Sequence, residues 1–537
     1  MRSLAIALAL AGAIGCYSPK APAGAYTCDS SDTSGNACPA NLKCVCGNCV
    51  TGNGDAACSF KVTAMAPACP NHEADGCAVE NGTFQVTVTA FAETTPPAGA
   101  TAPDTTFSGT ATIGSTWGNA HYAPFNLVNG TQTVTVSLDR ATPPNTTATL
   151  TARAGDAYGE GAQALIVDPP PFAVDGKPTL DTKSGWADAA IGYPAIDAAD
   201  ATRTMYFTGF SKDGKINTAS IGRATSPDGA TWSVDAAPII TAPMTHYASP
   251  SVLHLADDDI RLFLSAVGAT SISTVQVQST DGGMTFGAPL NSLDPASCSF
   301  CDSHVGILDP WVLVEPTQKK TWLLFFSLSA KNAMMTTTSL GVGRTTDGGA
   351  TWDLSTVPTP GSGVLFAGPD IAQSPRVVWD DSARLYRMYY AQLRAGVSRG
   401  GALAIVPCSY QVQYATSLDG QFWTGARIPM TGAAIAGTQL DATNRPAGAG
   451  DVAWAPSDNP YQAGAPYLGV EPGAFTISST GGHDLWFTTQ ALSTTPPYPQ
   501  CDPLERTCDM CTTQQCKMNC CQKIECLPFA IGHASRM

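Results

Sequence analysis

An all-β fold is what this 537-residue sequence predicts: a small cysteine-rich module, then an antiparallel sandwich, then an array of five repeated strand units. Short segments of alternating apolar and polar residues lie ahead of residue 169, with the period of two that half-buried strands require. From about residue 172 onward a Pro-containing strand start recurs five times, and a Ser/Thr–Asp–Gly turn recurs four times. Repetition on this scale marks architectures in which each unit buries its face against the next.

Composition narrows the compartment and the partners. Lys and Arg number 28 against 43 Asp and Glu, a formal net charge of −15, and only 13% of residues are charged, about half the usual ~25%. Nucleic-acid affinity comes from basic clusters that displace counterions, so no nucleic-acid partner is expected. The 51 glycines and 40 prolines indicate a loop-rich chain. Nineteen cysteines are hard to reconcile with a reducing cytosol and point to export.

The elements follow in order. Arg2 precedes an apolar stretch over residues 4–13 and small residues ahead of Cys16, the layout of a signal peptide too short to span a bilayer. Ala13-Ile14-Gly15-Cys16 resembles the bacterial lipoprotein cleavage box, with Ala13 standing where Leu is usual. The resemblance implies a lipoprotein-type signal over 1–16, lipidation of Cys16, and an outer-membrane or cell-surface location. Membrane attachment is then by the lipid alone; ordinary signal cleavage and secretion is the alternative.

Residues 17–58 hold Cys28, Cys38, Cys44, Cys46, Cys49 and Cys58, with too little apolar mass for a core, and read as a disulfide-stapled module. The Cys44-x-Cys46-x-x-Cys49 cluster could also ligate a metal, but no histidine lies nearby. No metal and no cofactor are expected. Cys69 and Cys77 open residues 59–169, where Phe84-Gln85-Val86-Thr87-Val88-Thr89, Val134-Thr135-Val136-Ser137-Leu138 and Ala148-Thr149-Leu150-Thr151-Ala152 alternate. Several short strands at close spacing predict an antiparallel sandwich. It resembles a bacterial immunoglobulin-like spacer. Asp168-Pro169-Pro170-Pro171 then reads as a semi-rigid linker.

Residues 170–537 carry the repeats. The strand starts are Tyr193-Pro194-Ala195-Ile196, Ser249-Pro250-Ser251-Val252, Asp309-Pro310-Trp311-Val312, Ser374-Pro375-Arg376-Val377 and Glu471-Pro472-Gly473-Ala474. Each leads to a second apolar strand, such as Arg261-Leu262-Phe263-Leu264 or Asp484-Leu485-Trp486-Phe487. The turns centre on Asp228-Gly229, Asp281-Gly282-Gly283, Asp347-Gly348-Gly349 and Asp419-Gly420, each followed by an aromatic residue. A carboxylate can accept backbone N–H groups across such a turn while the aromatic wedges between units, so these aspartates read as structural.

The Gly-Gly form of the turn matches the Asp box of sialidase-type propellers, and the shorter form resembles the equivalent turn in the arabinanase and invertase clan of glycosidases. The resemblance implies a five-bladed β-propeller over residues 170–537. Ile531-Gly532-His533-Ala534-Ser535 is similar to Ile221-Gly222-Arg223-Ala224-Thr225. Residues near 537 therefore read as the third strand of blade five, with residues 172–189 closing the ring as its fourth. Cysteine-rich residues 500–527 become an insertion between strands two and three.

In such a disc the strand starts converge at one mouth. Glycosidic hydrolysis needs a carboxyl pair, about 5–5.5 Å apart for retention or about 6.5–9.5 Å for inversion. Resembling glycosidases carry three carboxylates at or near the positions before the prolines. Here Asp309 and Glu471 remain, and the resemblance implies Asp309 as base and Glu471 as acid. Ser374 and Arg376 stand where the supporting Asp belongs, with Asp302 or Asp370 as substitutes from loops. An acidic residue before Pro can equally organise a turn. Tyr193, His246, His304, Ser374 and Arg376 are expected to bind substrate.

Cys298, Cys301, Cys408 and the cysteines between 501 and 526 read as a disulfide-stiffened rim of the mouth, joined by a long loop over 427–466. A sialidase would need several arginines converging on the substrate carboxylate, and the sequence does not offer them. The expectation is a monomer that engages carbohydrate in a glycoside hydrolase-like site. The alternative is a non-catalytic glycan-binding, adhesion or structural surface protein on a degenerate glycosidase propeller.

Overall fold

The computed structural model describes residues 38–39, 42–45, 48–51, 59–65, 77–92, 102–143, 146–154, 161–168, 172–175, 177–182, 185–211, 219–241, 245–267, 272–293, 304–331, 336–354, 364–366, 371–397, 403–425, 467–478, 482–492 and 526–536. Every named element among them is a β-strand. Cys16, the 427–466 loop, Asp302, Asp370, Cys298, Cys301 and the cysteines from 501 to 525 lie outside the described residues.

A hairpin of Leu42–Val45 and Asn48–Thr51 pairs Cys44 with Cys49 in register. Cys49 is bonded to Cys38, and Cys44 and Cys77 are also disulfide-bonded. Next come two packed sheets. One has the order Ser59–Met65, Thr83–Phe91, Thr131–Leu138, Ala120–Tyr122; the other has the order Cys77–Val79, Gly161–Asp168, Ala148–Ala154, Gly109–Ser115, Phe125–Leu127. In Thr83–Phe91 the even positions Phe84, Val86 and Val88 are buried. They share one core with Phe60, Val62, Ile113, Leu150 and Val167 from both sheets. Alternation thus turns one face of each sheet inward.

Beyond residue 172 the strands form antiparallel ladders of four. The first sheet is Ala190–Asp197, Arg203–Phe210, Ser220–Ser226 and Ser233–Val234. The second is His246–Ala256, Asp259–Val267, Ile272–Ser279 and Asn291–Leu293. The third is His304–Glu315, Gln318–Lys331, Thr336–Thr345 and Val364–Phe366, joined to the second by a bridge from Ile272 to Gly306. The fourth is Ile371–Asp380, Leu385–Val397, Leu403–Ser417 and Thr424–Gly425. In the fifth, Tyr467–Ile477, His483–Leu492 and Cys526–Arg536 are completed by Ala173–Val174 and Leu180–Asp181, which pair with Cys526–Arg536.

Second strands are apolar on both sides: Met205, Tyr206 and Phe207 are fully buried, as are Leu324, Phe325 and Phe326. A strand reads this way when both faces of its sheet are covered, and here each sheet lies between neighbours. The first strands touch in cyclic order, first to second, second to third, third to fourth, fourth to fifth and fifth back to first. Their convergence sets the place of the candidate site.

The turns between third and fourth strands behave alike. Asp347 Oδ1 accepts the N–H groups of Ala350 and Thr351, and its Oδ2 accepts the Thr351 hydroxyl. Asp228, Asp281 and Asp419 accept the equivalent N–H groups. Gly349, at φ +85°, admits no Cβ, which would lie 2.5 Å from the Trp322 ring.

The fifth sheet is locked at its edge by His533. Its Nδ1 meets Asp175 Oδ2 at 2.8 Å, and its Nε2 meets Asp484 Oδ1 at 3.1 Å. The two packed sheets ahead of the ring dock on the fourth sheet through Arg387. Its guanidinium bonds Glu80, Asp380 (2.7 Å), the Asp139 carbonyl (3.0 Å) and the Tyr414 hydroxyl, all in the interior. Burial works against that charge, but Glu80, Tyr414 and Asp380 raise the Arg387 pKa well above its ordinary value.

Candidate active site

At the start of each of the first four sheets, the residue before Pro adopts a left-handed backbone: Tyr193 at φ +53°, Ser249 at +49°, Asp309 at +50° and Ser374 at +55°. Such a conformation is costly for a residue with a Cβ, and the following Pro restricts it further. The ladder breaks register at each point, between Gly192 and Ala195, Ala248 and Ser251, Leu308 and Trp311, Gln373 and Arg376. These are bulges, which re-aim side chains at functional rims.

Each strained residue is tied to the sheet before it. The Ser249 N–H donates to Thr208 Oγ1 (2.9 Å), Asp309 N–H to Ser265 Oγ (2.8 Å), Ser374 N–H to Ser327 Oγ (2.9 Å), and Tyr193 N–H to Thr488 Oγ1 (2.7 Å). The acceptors occupy the same place on successive second strands, opposite Gly192, Ala248, Leu308 and Glu471. The fourth sheet has Ala391 there, opposite Gln373.

The fifth start differs, and it corrects the alignment by proline. Glu471 faces Thr488 in register, and the break falls between Pro472 and Ala474. Glu471 therefore matches Gln373 and Leu308, one position ahead of Ser374 and Asp309. Gly473 fits because a Cβ there would lie 2.3 Å from the Pro194 ring, so first and fifth strands approach closely at this point.

The side chains converge into a buried hydrogen-bonded cluster. Ser249 Oγ donates to Asp309 Oδ1 (2.7 Å), and Ser327 Oγ to Asp309 Oδ2 (2.9 Å). Ser374 Oγ donates to Glu471 Oε2 (3.0 Å). Glu471 and Ser374 are fully buried, and Asp309 is 5% exposed. Burial, and then the neighbouring Asp309 charge, push the Glu471 carboxyl up to about 8, against the opposing pull of Ser374, Gln373 and Arg376. Desolvation disfavours the charged form, and a second carboxylate adds to it.

Arg376 is one of the expected substrate contacts. It is fully buried. Its Nε donates to the Gly473 carbonyl and its Nη1 to the Pro375 carbonyl at 2.9 Å, with the guanidinium carbon 5.2 Å from the Trp311 ring centroid. Nη2 has no hydrogen-bond partner among the described residues. Burial lowers its pKa to about 10, opposed by Asp309, Glu471 and Tyr193.

The remaining expected residues divide. Tyr193 is half-buried at the start of the first sheet. His246 lies three residues ahead of Ser249, where its Nδ1 accepts the Ala219 N–H at 3.3 Å. The His304 side chain lies outside the described residues. Ser249 and Ser327, neither of them an expected site residue, hold both Asp309 oxygens. The signal for Ser327 was a hydroxyl residue directly after the apolar triplet of four of the five second strands: Thr208, Ser265, Ser327 and Thr488.

No protein-family model matches the sequence, and no curated protein matches it. Among solved structures the chain is similar to a thermostable family-43 glycoside hydrolase (12% identity, TM-score 0.36, covering 56% of this chain and 84% of that one). It is similar also to the Penicillium chrysogenum α-L-arabinanase complexed with arabinobiose (16%, 0.35, 60% and 94%). A third is an endo-arabinase from Bacteroides thetaiotaomicron (13%, 0.35, 57% and 91%).

Proposed function

We propose that this chain is an exported, lipid-anchored protein whose residues 170–537 form a five-bladed β-propeller that binds carbohydrate and hydrolyses it at the converging strand starts. The observation that carries the reading is the buried carboxyl pair. Glu471 is pushed up to about 8 while both oxygens of Asp309 accept serine hydroxyls. A carboxyl kept protonated near neutral pH by its surroundings is how a site holds a general acid.

At neutral pH Glu471 keeps its proton and delivers it to the leaving glycosidic oxygen. Asp309 acts toward the anomeric carbon, through water as base or directly as nucleophile. Residues 17–58 and 59–169 serve as a disulfide-bonded module and an immunoglobulin-like sandwich between the Cys16 lipid and the propeller. Replacing Cys16 by Ser is expected to move the protein from the membrane fraction to the soluble one.

A second reading has its own observation. Glu471 is fully buried, Asp309 nearly so, and Ser374 stands where the resembling glycosidases carry a third carboxylate. On that reading the ring is a degenerate glycosidase scaffold that binds glycan without turnover. Hydrolysis of aryl-glycosides and polysaccharides by the wild type, Asp309→Asn and Glu471→Gln separates the two. Loss of activity in both variants supports the acid–base pair, and activity untouched by either overturns it. Binding without turnover in the wild type favours the second reading.

A further inference from the structure

Four of the five junctions around the ring are tied in one way: a second-strand hydroxyl accepts the backbone N–H of a left-handed residue on the next sheet. The junction from fourth to fifth sheet has Ala391 in place of that hydroxyl. It is also the junction that positions Glu471. What spans it is the Ser374-Pro375-Arg376 corner. Ser374 Oγ holds Glu471 Oε2, and the Arg376 fork grips its own Pro375 carbonyl and the Gly473 carbonyl, two residues past Glu471.

We infer that Ser374 and Arg376 form a clip that replaces the missing hydroxyl tie, fixes the Glu471 strand start, and sets the proton affinity of that carboxyl. Both are positioning residues. This assigns Arg376 to work from behind the carboxyl pair, through charge and two carbonyl bonds, with no direct hold on substrate. Its full burial and its location against Trp311 agree. The bearing on catalysis rests on the reading of Glu471 as the acid; the structural clip does not.

The physical consequence has a definite sign. A hydroxyl donor and a cation both favour the ionised carboxylate. Removing either therefore raises the pH at which Glu471 releases its proton. Of the two, the Ser374 hydroxyl bears on the Glu471 carboxyl more strongly than the Arg376 charge.

The test follows the protonated carboxyl band of Glu471 by infrared difference spectroscopy across a pH titration of the full-length protein, with Glu471→Gln identifying the band. The wild type is expected to titrate near 8. Ser374→Ala moves the midpoint up, Arg376→Gln moves it up by less, and Arg376→Lys, which retains the charge, stays closer to the wild type. The basic limb of any hydrolysis moves with the midpoint. Unchanged midpoints in both Arg376→Gln and Ser374→Ala overturn the clip, and if Arg376→Gln does not fold, Ser374→Ala decides alone. Shifted midpoints in a protein that hydrolyses nothing sink the enzymatic reading and leave the clip standing. Hydrolysis with unshifted midpoints does the reverse.

Discussion

Two arginines of the fourth sheet are fully buried, and their surroundings differ sharply. Arg387 sits between Glu80 and Asp380 with the Tyr414 hydroxyl and the Asp139 carbonyl completing its bonds, and its pKa is raised. Arg376 binds two carbonyls, leaves Nη2 without a partner among the described residues, and its pKa is lowered to about 10. The first cluster gives its cation direct carboxylate partners and holds the sandwich to the ring. The second is under-compensated beside two carboxyl groups, one of which keeps its proton. A matched cluster keeps its charges paired; an unmatched one leaves a carboxyl protonated near neutral pH.

The largest effect should come from breaking the matched cluster. Glu80→Ala leaves Arg387 with one carboxylate in the interior, at a cost of about 3–5 kcal/mol, read by denaturant unfolding. Removing Arg387 as well should not recover that loss, because it leaves buried Asp380 without its cation. If Glu80→Ala proves neutral, the two sheets ahead of the ring are not held by this contact.

Glu471→Gln should act in the opposite way. Removal of a general acid lowers hydrolysis by roughly 10²–10⁴-fold, while stability at pH 7 is unchanged or improved, because the amide needs no proton taken up on folding. Activity of the wild type should fall as pH rises through about 8. A variant that loses stability and activity together would place Glu471 in the structural class with Glu80.

The same carboxyl gives a smaller effect on the pH dependence of folding. Its pKa is raised from 4.5 to about 8, so between those values the folded chain binds more protons than the unfolded one. Stability from this group therefore falls as pH rises across that window. Thermal melts from pH 5 to 8 should show a flatter profile for Glu471→Gln than for the wild type; parallel profiles would contradict the assignment.

The smallest effect belongs to the turns. The Thr351 hydroxyl and N–H and the Thr345 hydroxyl hold Asp347 well below the usual carboxylate range. Its contribution is present above the ordinary value of 3.8 and is lost as pH falls below it. Asp347→Asn should lower the melting temperature slightly at neutral pH and leave activity intact, with the difference from wild type shrinking in acid.

The sequence made the repeating parts of the molecule legible, because they are written in short-range pattern. Prolines at strand starts, apolar triplets and Asp–Gly turns each need only a few neighbouring residues to be read. Asp309 and Glu471 stood out in the same way. Legibility failed where the determinant was register or distance. Aligning on proline put Glu471 level with Ser374, whereas a bulge one residue later in the fifth sheet moves it level with Gln373. The hydroxyl ties lay one residue past the triplets and carry no meaning until five strands converge. Glu80 and Arg387 are 307 residues apart, and nothing in either neighbourhood names the other.

The closure at His533 has a temporal side. Asp175 and His533 are separated by 358 positions, whereas the hairpins within each sheet join near neighbours. Pairings across long loops are slow to form, since loop entropy is lost before any contact rewards it. The early sheets can therefore zip as they emerge, while the edge provided by Ala173–Val174 waits open for Cys526–Arg536. During that interval an unpaired edge is exposed to other chains. The yield of closed rings is then decided by how quickly Cys526–Arg536 reaches Ala173–Val174.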